Sequence, residues 1–80
     1  MKEVVLYSKP DCCLCDEALK ILDRVQKVFP FVLRKIDILT DRGLYNQFKD
    51  EIPVVFIESK KAFKYRIDES KLIRLLQFSR

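Results

Sequence analysis

Histidine and tryptophan are absent from this 80-residue chain, and glycine occurs once. Without histidine, the usual general base and the commonest metal-binding imidazole are missing, so chemistry near neutral pH falls to other side chains. No stretch approaches the roughly 18 consecutive apolar residues that a membrane-spanning helix needs. The short apolar run Val4–Tyr7 is cut off by Pro10 and Asp11, and it lacks the longer apolar core of a secretory signal. It reads instead as a first strand, and a cytoplasmic protein with no membrane partner is the expectation. Repeats, low-complexity tracts and a Gly/Pro-rich linker are missing too. Residues 1–80 are therefore expected to form one domain, within the usual range of roughly 50–200 residues.

An excess of one charge is also lacking. Sixteen Lys and Arg face 12 Asp and Glu, for a net charge of +4. The basic residues are interleaved with acidic ones except around Lys60–Lys61 and Lys64–Arg66. A nucleic-acid interface wants a contiguous basic stripe with exposed aromatics, so no nucleic-acid partner is expected. An acidic partner protein remains compatible with the charge.

What the chain does contain is three cysteines within four positions, Cys12-Cys13-Leu14-Cys15. A disulfide framework spreads its cysteines to join distant segments, so this cluster points to redox chemistry or a metal. Hydrophobic spacing places it. Val4–Tyr7 is a β-branched apolar run bounded by charge and Pro10. Leu14, Ala18, Ile21, Leu22, Val25, Val28 and Phe29 then recur at three- and four-residue steps, predicting an amphipathic helix from Cys13 to Phe29 that Pro30 stops. Phe31–Ile38 reads as a second strand. Thr40 or Asp41 caps a short helix with an apolar face of Leu44, Tyr45 and Phe48. Val54–Ile57 is the strongest strand, and a Glu58-Ser59-Lys60 turn leads to a hairpin partner over Lys61–Arg66. Asp68 caps a last helix carrying Leu72, Ile73, Leu75 and Leu76. The order β-α-β-α-β-β-α implies an α/β fold: a four-stranded mixed sheet with helices on both faces.

Cys12 thus falls at the strand–helix turn, with Cys15 one helical turn further on. Cysteines three apart at a helix start reach disulfide geometry without backbone movement. The first sees the positive end of the helix dipole and unpaired amides, which favour a nucleophilic thiolate. The second is more shielded and suited to resolving a mixed disulfide. As buried small hydrophobes, both cysteines would be structural only.

The segment Tyr7-Ser8-Lys9-Pro10-Asp11-Cys12-Cys13-Leu14-Cys15-Asp16-Glu17-Ala18 resembles the active-site segment of the glutaredoxin-like proteins of the thioredoxin fold. It is most similar to a short subfamily reading Cys-x-Leu-Cys-Asp-x-Ala. Glu51–Ile57 resembles the same fold's cis-proline loop and third strand, and the element order agrees from end to end. The resemblance implies that Cys12 is the nucleophile, Cys15 the resolving thiol and Pro53 a cis-proline facing them. The Ile52 backbone would then pair with an extended peptide or glutathione. Lys9 matches a glutaredoxin lysine that assists the thiolate and a glutathione carboxylate.

Three departures qualify it. Cys13 stands where these proteins have Pro or His, as an additional thiol that adjacent-residue strain keeps from bridging to Cys12. Asp11, Asp16 and Glu17 oppose Lys9 by like-charge repulsion with a thiolate. Lys64-Tyr65-Arg66-Ile67-Asp68 replaces a Gly-Gly stretch whose backbone approaches glutathione. Arg66 could still offer a carboxylate a bidentate contact. The expected function is therefore a disulfide oxidoreductase acting on protein disulfides without a tightly bound cofactor. Its reductant would be a thioredoxin reductase, with glutathione the weaker expectation. The alternatives are metal or iron–sulfur delivery through the cysteine cluster, and a thioredoxin-fold adaptor with vestigial cysteines.

Overall fold

A computed structural model describes residues 2–78; positions 1, 79 and 80 of the expected 1–80 domain lie outside the described residues. Strand β1, Glu3–Ser8, leads to helix α1, Cys13–Gln26, and then to strand β2, Val32–Asp37. A single 3-10 turn, Ile38–Thr40, precedes helix α2, Arg42–Phe48. Strands β3, Val54–Ile57, and β4, Lys60–Lys64, form a hairpin, and helix α3, Glu69–Phe78, closes the order.

The strands make one mixed sheet in the order β2-β1-β3-β4. β1 runs parallel to β2, from Glu3 opposite Val32 to Ser8 opposite Asp37. It runs antiparallel to β3, with Val4 opposite Ile57 and Tyr7 opposite Val54. β2 and β4 are the edges, and they carry Arg34 and Lys35 on one side and Lys60, Lys61 and Lys64 on the other.

Strand alternation divides the core in two. Val4, Leu6, Val55 and Ile57 face one way and pack with Ala18, Leu22 and Val25 of α1, Phe63, and Leu72 of α3. Tyr7, Val54 and Phe56 face the other way, toward Ile38 and toward Leu44 and Phe48 of α2. Helices therefore cover both faces, as the hydrophobic pattern implies. Arg24 of α1 and Glu69 of α3 form an exposed, solvent-screened ion pair at 2.5 Å that joins the two helices.

Several boundaries differ from the sequence reading. α1 ends at Gln26 with Lys27 as its C-cap, which leaves Val28 69% exposed beyond the helix. Ile38 leaves the second strand to open the 3-10 turn. Asp41, not Thr40, caps α2: its Oδ1 accepts the Gly43 and Leu44 amides at 2.8 and 3.2 Å. Tyr45 is off the buried face, exposed beneath the Lys49 ammonium at 6.0 Å. Lys60 belongs to β4 opposite Ile57, so the hairpin turn is the two residues Glu58 and Ser59. Both have positive φ, 50° and 69°, the pattern of a type I′ turn that matches strand twist. Tyr65 and Arg66 lie past the end of β4.

Candidate active site

Cys12 is the N-cap of α1, with extended backbone (φ −113°, ψ 110°). Asp11 before it has φ 58°, a left-handed turn in which the chain passes from β1 into the helix. The Cys12 carbonyl accepts the Asp16 amide at 3.0 Å, and its Sγ accepts the Cys15 amide at 3.2 Å. A helix start leaves its first amides without backbone partners, and here the sulfur satisfies one of them. The sulfur thus sits at the positive end of the helix dipole.

Cys15 is buried, 5% exposed, among Ile38, Phe48, Ile52 and Val54. Burial first, and the neighbouring Cys12 next, push its thiol up to about 11; the Lys9 backbone offsets part of this. Cys12 is half-buried against the same cluster, whereas Cys13 points to solvent. All three are free thiols. At neutral pH Cys15 holds its proton, and the two ends of the motif differ in access.

This asymmetry predicts a pH dependence. The unfolded chain gives up the Cys15 proton at a lower pH than the folded chain does. The folded state then holds the extra proton, so stability falls as pH rises from the ordinary thiol value toward about 11. Urea midpoints should drop between about pH 8 and about pH 10.5 in the wild type, and less in Cys15→Ala. Equal drops in both would remove Cys15 as the cause.

Ile52 and Pro53 are buried at the start of β3, joined by a cis peptide bond. Ile52 shares the cluster that holds Cys12 and Cys15. Its amide donates to the Phe48 carbonyl at 3.1 Å and is thus engaged within the chain. The Tyr65 amide donates to the carbonyls of Glu51 (3.2 Å) and Pro53 (2.9 Å), tying the end of β4 to the proline loop. Glu51 also pairs through its side chain with Lys61, which holds its carboxyl below the usual range.

The remaining candidates are not drawn into the cysteine cluster. Lys9 is exposed and lines a hollow of about 330 Å³ with Asp11, Asp16, Lys35 and Asp37. Arg66 lines a different, smaller hollow of about 110 Å³ with Leu14, Glu17 and Tyr65. These hollows flank the start of α1. A larger one, about 450 Å³, lies between the β3–β4 hairpin and α3, at the Glu3 end of the sheet and away from the cysteines. Among the described residues no group of three or more His, Cys, Asp or Glu side chains is arranged to hold a metal. With Cys13 turned outward, the cluster does not supply three converging sulfurs.

Sequence reasoning missed the aromatic floor under the site. Tyr7 stacks on Phe48 at 4.8 Å between ring centroids, and Phe56 meets both rings edge-on at 5.5 and 6.0 Å. The three residues come from β1, α2 and β3, so no local spacing links them. The aromatic residue type at each position was the available signal.

A protein-family model described as "Glutaredoxin-like domain (DUF836)" matches residues 3–77. A Dictyostelium discoideum protein named "Glutaredoxin-like protein YDR286C homolog" is 38% identical over 72 residues, covering 82% of this chain and 67% of that protein. Among solved structures, protein Ne2328 of Nitrosomonas europaea superposes with a TM-score of 0.78 at 30% identity, covering 89% of this chain and 86% of that one. Thioredoxin 1 from the thermophilic eubacterium Thermosipho africanus superposes with a TM-score of 0.68 at 16% identity, covering 94% and 90% of the two chains, a likeness of fold alone. No helix of the described residues is long and apolar enough to cross a membrane. Family and fold together support a redox-type role. The chain belongs to the glutaredoxin-like family and has a thioredoxin-like fold.

Proposed function

We propose that this protein is a thiol–disulfide oxidoreductase that reduces protein disulfides through Cys12 and Cys15. The observation that carries the reading is the Cys12 Sγ at the α1 N-cap, 3.2 Å from the Cys15 amide, with the Cys15 thiol buried one turn behind it. In the first step the Cys12 thiolate attacks one sulfur of the substrate disulfide. The S–S bond breaks, the other substrate sulfur leaves as a thiolate and takes up a proton, and a mixed disulfide joins Cys12 to the substrate. In the second step Cys15 loses its proton and attacks the Cys12 sulfur. The mixed disulfide breaks, the second substrate thiol is released, and the Cys12–Cys15 disulfide forms. The substrate has gained two electrons and the protein has lost them.

No tightly bound cofactor enters this cycle. Electrons return from an external dithiol of the thioredoxin-reductase class. Two glutathione thiols are the competing donor, and the side chains of Tyr65 and Arg66 favour the protein reductant. They stand where close approach of the backbone to a tripeptide would call for glycine. Closely spaced free thiols suit a reducing compartment such as the cytoplasm.

Cys15→Ser provides the test. With an oxidised protein substrate it should accumulate a covalent adduct through Cys12, visible by mass spectrometry and released by dithiothreitol. A variant that forms no adduct, while its Cys12 still alkylates, overturns the reading.

A further inference from the structure

Tyr65 sits in a conformation that its side chain makes costly. Its φ is 68°, in the left-handed region where glycine is at ease and a bulky residue is strained. Even so, its ring is not buried for compensation: the residue is 45% exposed. Its amide bridges the Glu51 and Pro53 carbonyls, a task that any residue with this backbone would perform, glycine included. The ring therefore needs a separate reason.

Its position supplies one. The Tyr65 backbone is bonded to the proline loop, and its side chain borders the hollow formed with Leu14 and Glu17 of the first turns of α1. Those two elements bring Ile52 and Cys12 into one cluster. The residue thus lines a hollow that reaches Leu14, between Cys13 and Cys15 of the motif, with the Lys64 ammonium 5.6 Å from its ring centroid. A half-exposed aromatic with few rotatable bonds is the kind of residue that anchors a binding surface.

We propose that Tyr65 is the specificity-determining residue of the site, its ring the platform for an apolar side chain next to the target cysteine of a protein disulfide. The inference rests on the oxidoreductase reading and adds the substrate class. A bulky apolar neighbour packs on the ring. Glutathione disulfide, which has no such side chain, gains nothing from it.

The test uses the full chain, dithiothreitol as reductant, and two synthetic peptide disulfides that differ only in Phe or Gly beside the cysteine. Wild type should reduce the Phe peptide with a roughly tenfold advantage in kcat/KM, carried by KM. Tyr65→Gly keeps the backbone conformation and should erase the advantage without slowing the Gly peptide. Tyr65→Phe should retain it. A preference that survives Tyr65→Gly overturns the proposal, as does an equal loss on both peptides, which would confine Tyr65 to holding the loop. Wild type reducing both peptides alike sinks the recognition inference and leaves the redox reading standing. Wild type reducing neither overturns the redox reading itself.

Discussion

Cys12→Ser should lower dithiothreitol-driven reduction of a protein disulfide by roughly three orders of magnitude or more, the scale of removing a nucleophile. A serine hydroxyl is not a nucleophile toward sulfur at neutral pH, so nothing replaces the first step. The variant also separates chemistry from folding. Serine is among the preferred helix N-caps, and its oxygen can accept the same Cys15 amide that Cys12 Sγ accepts at 3.2 Å. The thermal midpoint should therefore stay within a few degrees of wild type while activity disappears. Cys13→Ser is the control. The Cys13 thiol points to solvent and is not part of the cluster that holds Cys12 and Cys15, so activity should remain within about threefold of wild type. More than a tenth of the wild-type rate in Cys12→Ser, or a Cys13→Ser loss of similar size, would dismiss the assignment of roles.

Phe48→Ala should be strongly destabilising, at about 3–5 kcal/mol. α2 is only seven residues long and too short to persist by itself. Its buried anchor is Phe48, 3% exposed and packed on Tyr7 and Phe56. A domain of this size has roughly 5 kcal/mol or a little more to lose, so the urea midpoint should fall by half or more. The same cavity opens beneath Cys15, which shares the Phe48 cluster. Iodoacetamide should then label Cys15 in native buffer at a rate that wild type reaches only in denaturant. A midpoint shift equivalent to less than about 1 kcal/mol would mean that the aromatic floor repacks without cost.

Much of the fold was legible because its signals are periodic. Cys15, Ala18, Leu22 and Val25 recur at helical steps, and these are the positions α1 buries. The alternation of Val54 to Ile57 likewise sorts the strand between the two core faces. Periodicity says less about where an element ends. Val28 keeps the helical spacing but falls past the C-cap, and Tyr45 keeps it while facing solvent. Within the site, the placement of Cys12 and Cys15 followed from a strand followed at once by a helix. The partners came from afar: Phe48 and Ile52 join the cysteine cluster, and the Tyr65 amide bonds the proline loop, through contacts that no local pattern encodes. Positive φ at Asp11 and Tyr65 was also hidden, because the residue types do not announce it.

Lys9 and Arg66 mark the limit of reading charge from sequence. Both are close to the cysteine motif in the resemblance, yet each borders its own hollow on a different flank of α1. The Lys9 backbone bonds Cys15, but its ammonium can act only through its field across solvent, which salt screens over roughly 8–10 Å.

The two open edges of the sheet bear on how copies of the protein meet one another. An uncovered strand is a template for another strand, and edge-to-edge stacking is a common route to aggregates. Here β2 presents Arg34 and Lys35, and β4 presents Lys60, Lys61 and Lys64. Arg34 is paired with Glu3 and Lys61 with Glu51, but joining β4 to β2 or to another β4 would still bring Lys35, Lys60 and Lys64 together along the new seam. The edge cations act as gatekeepers against polymerisation of the chain with its own copies.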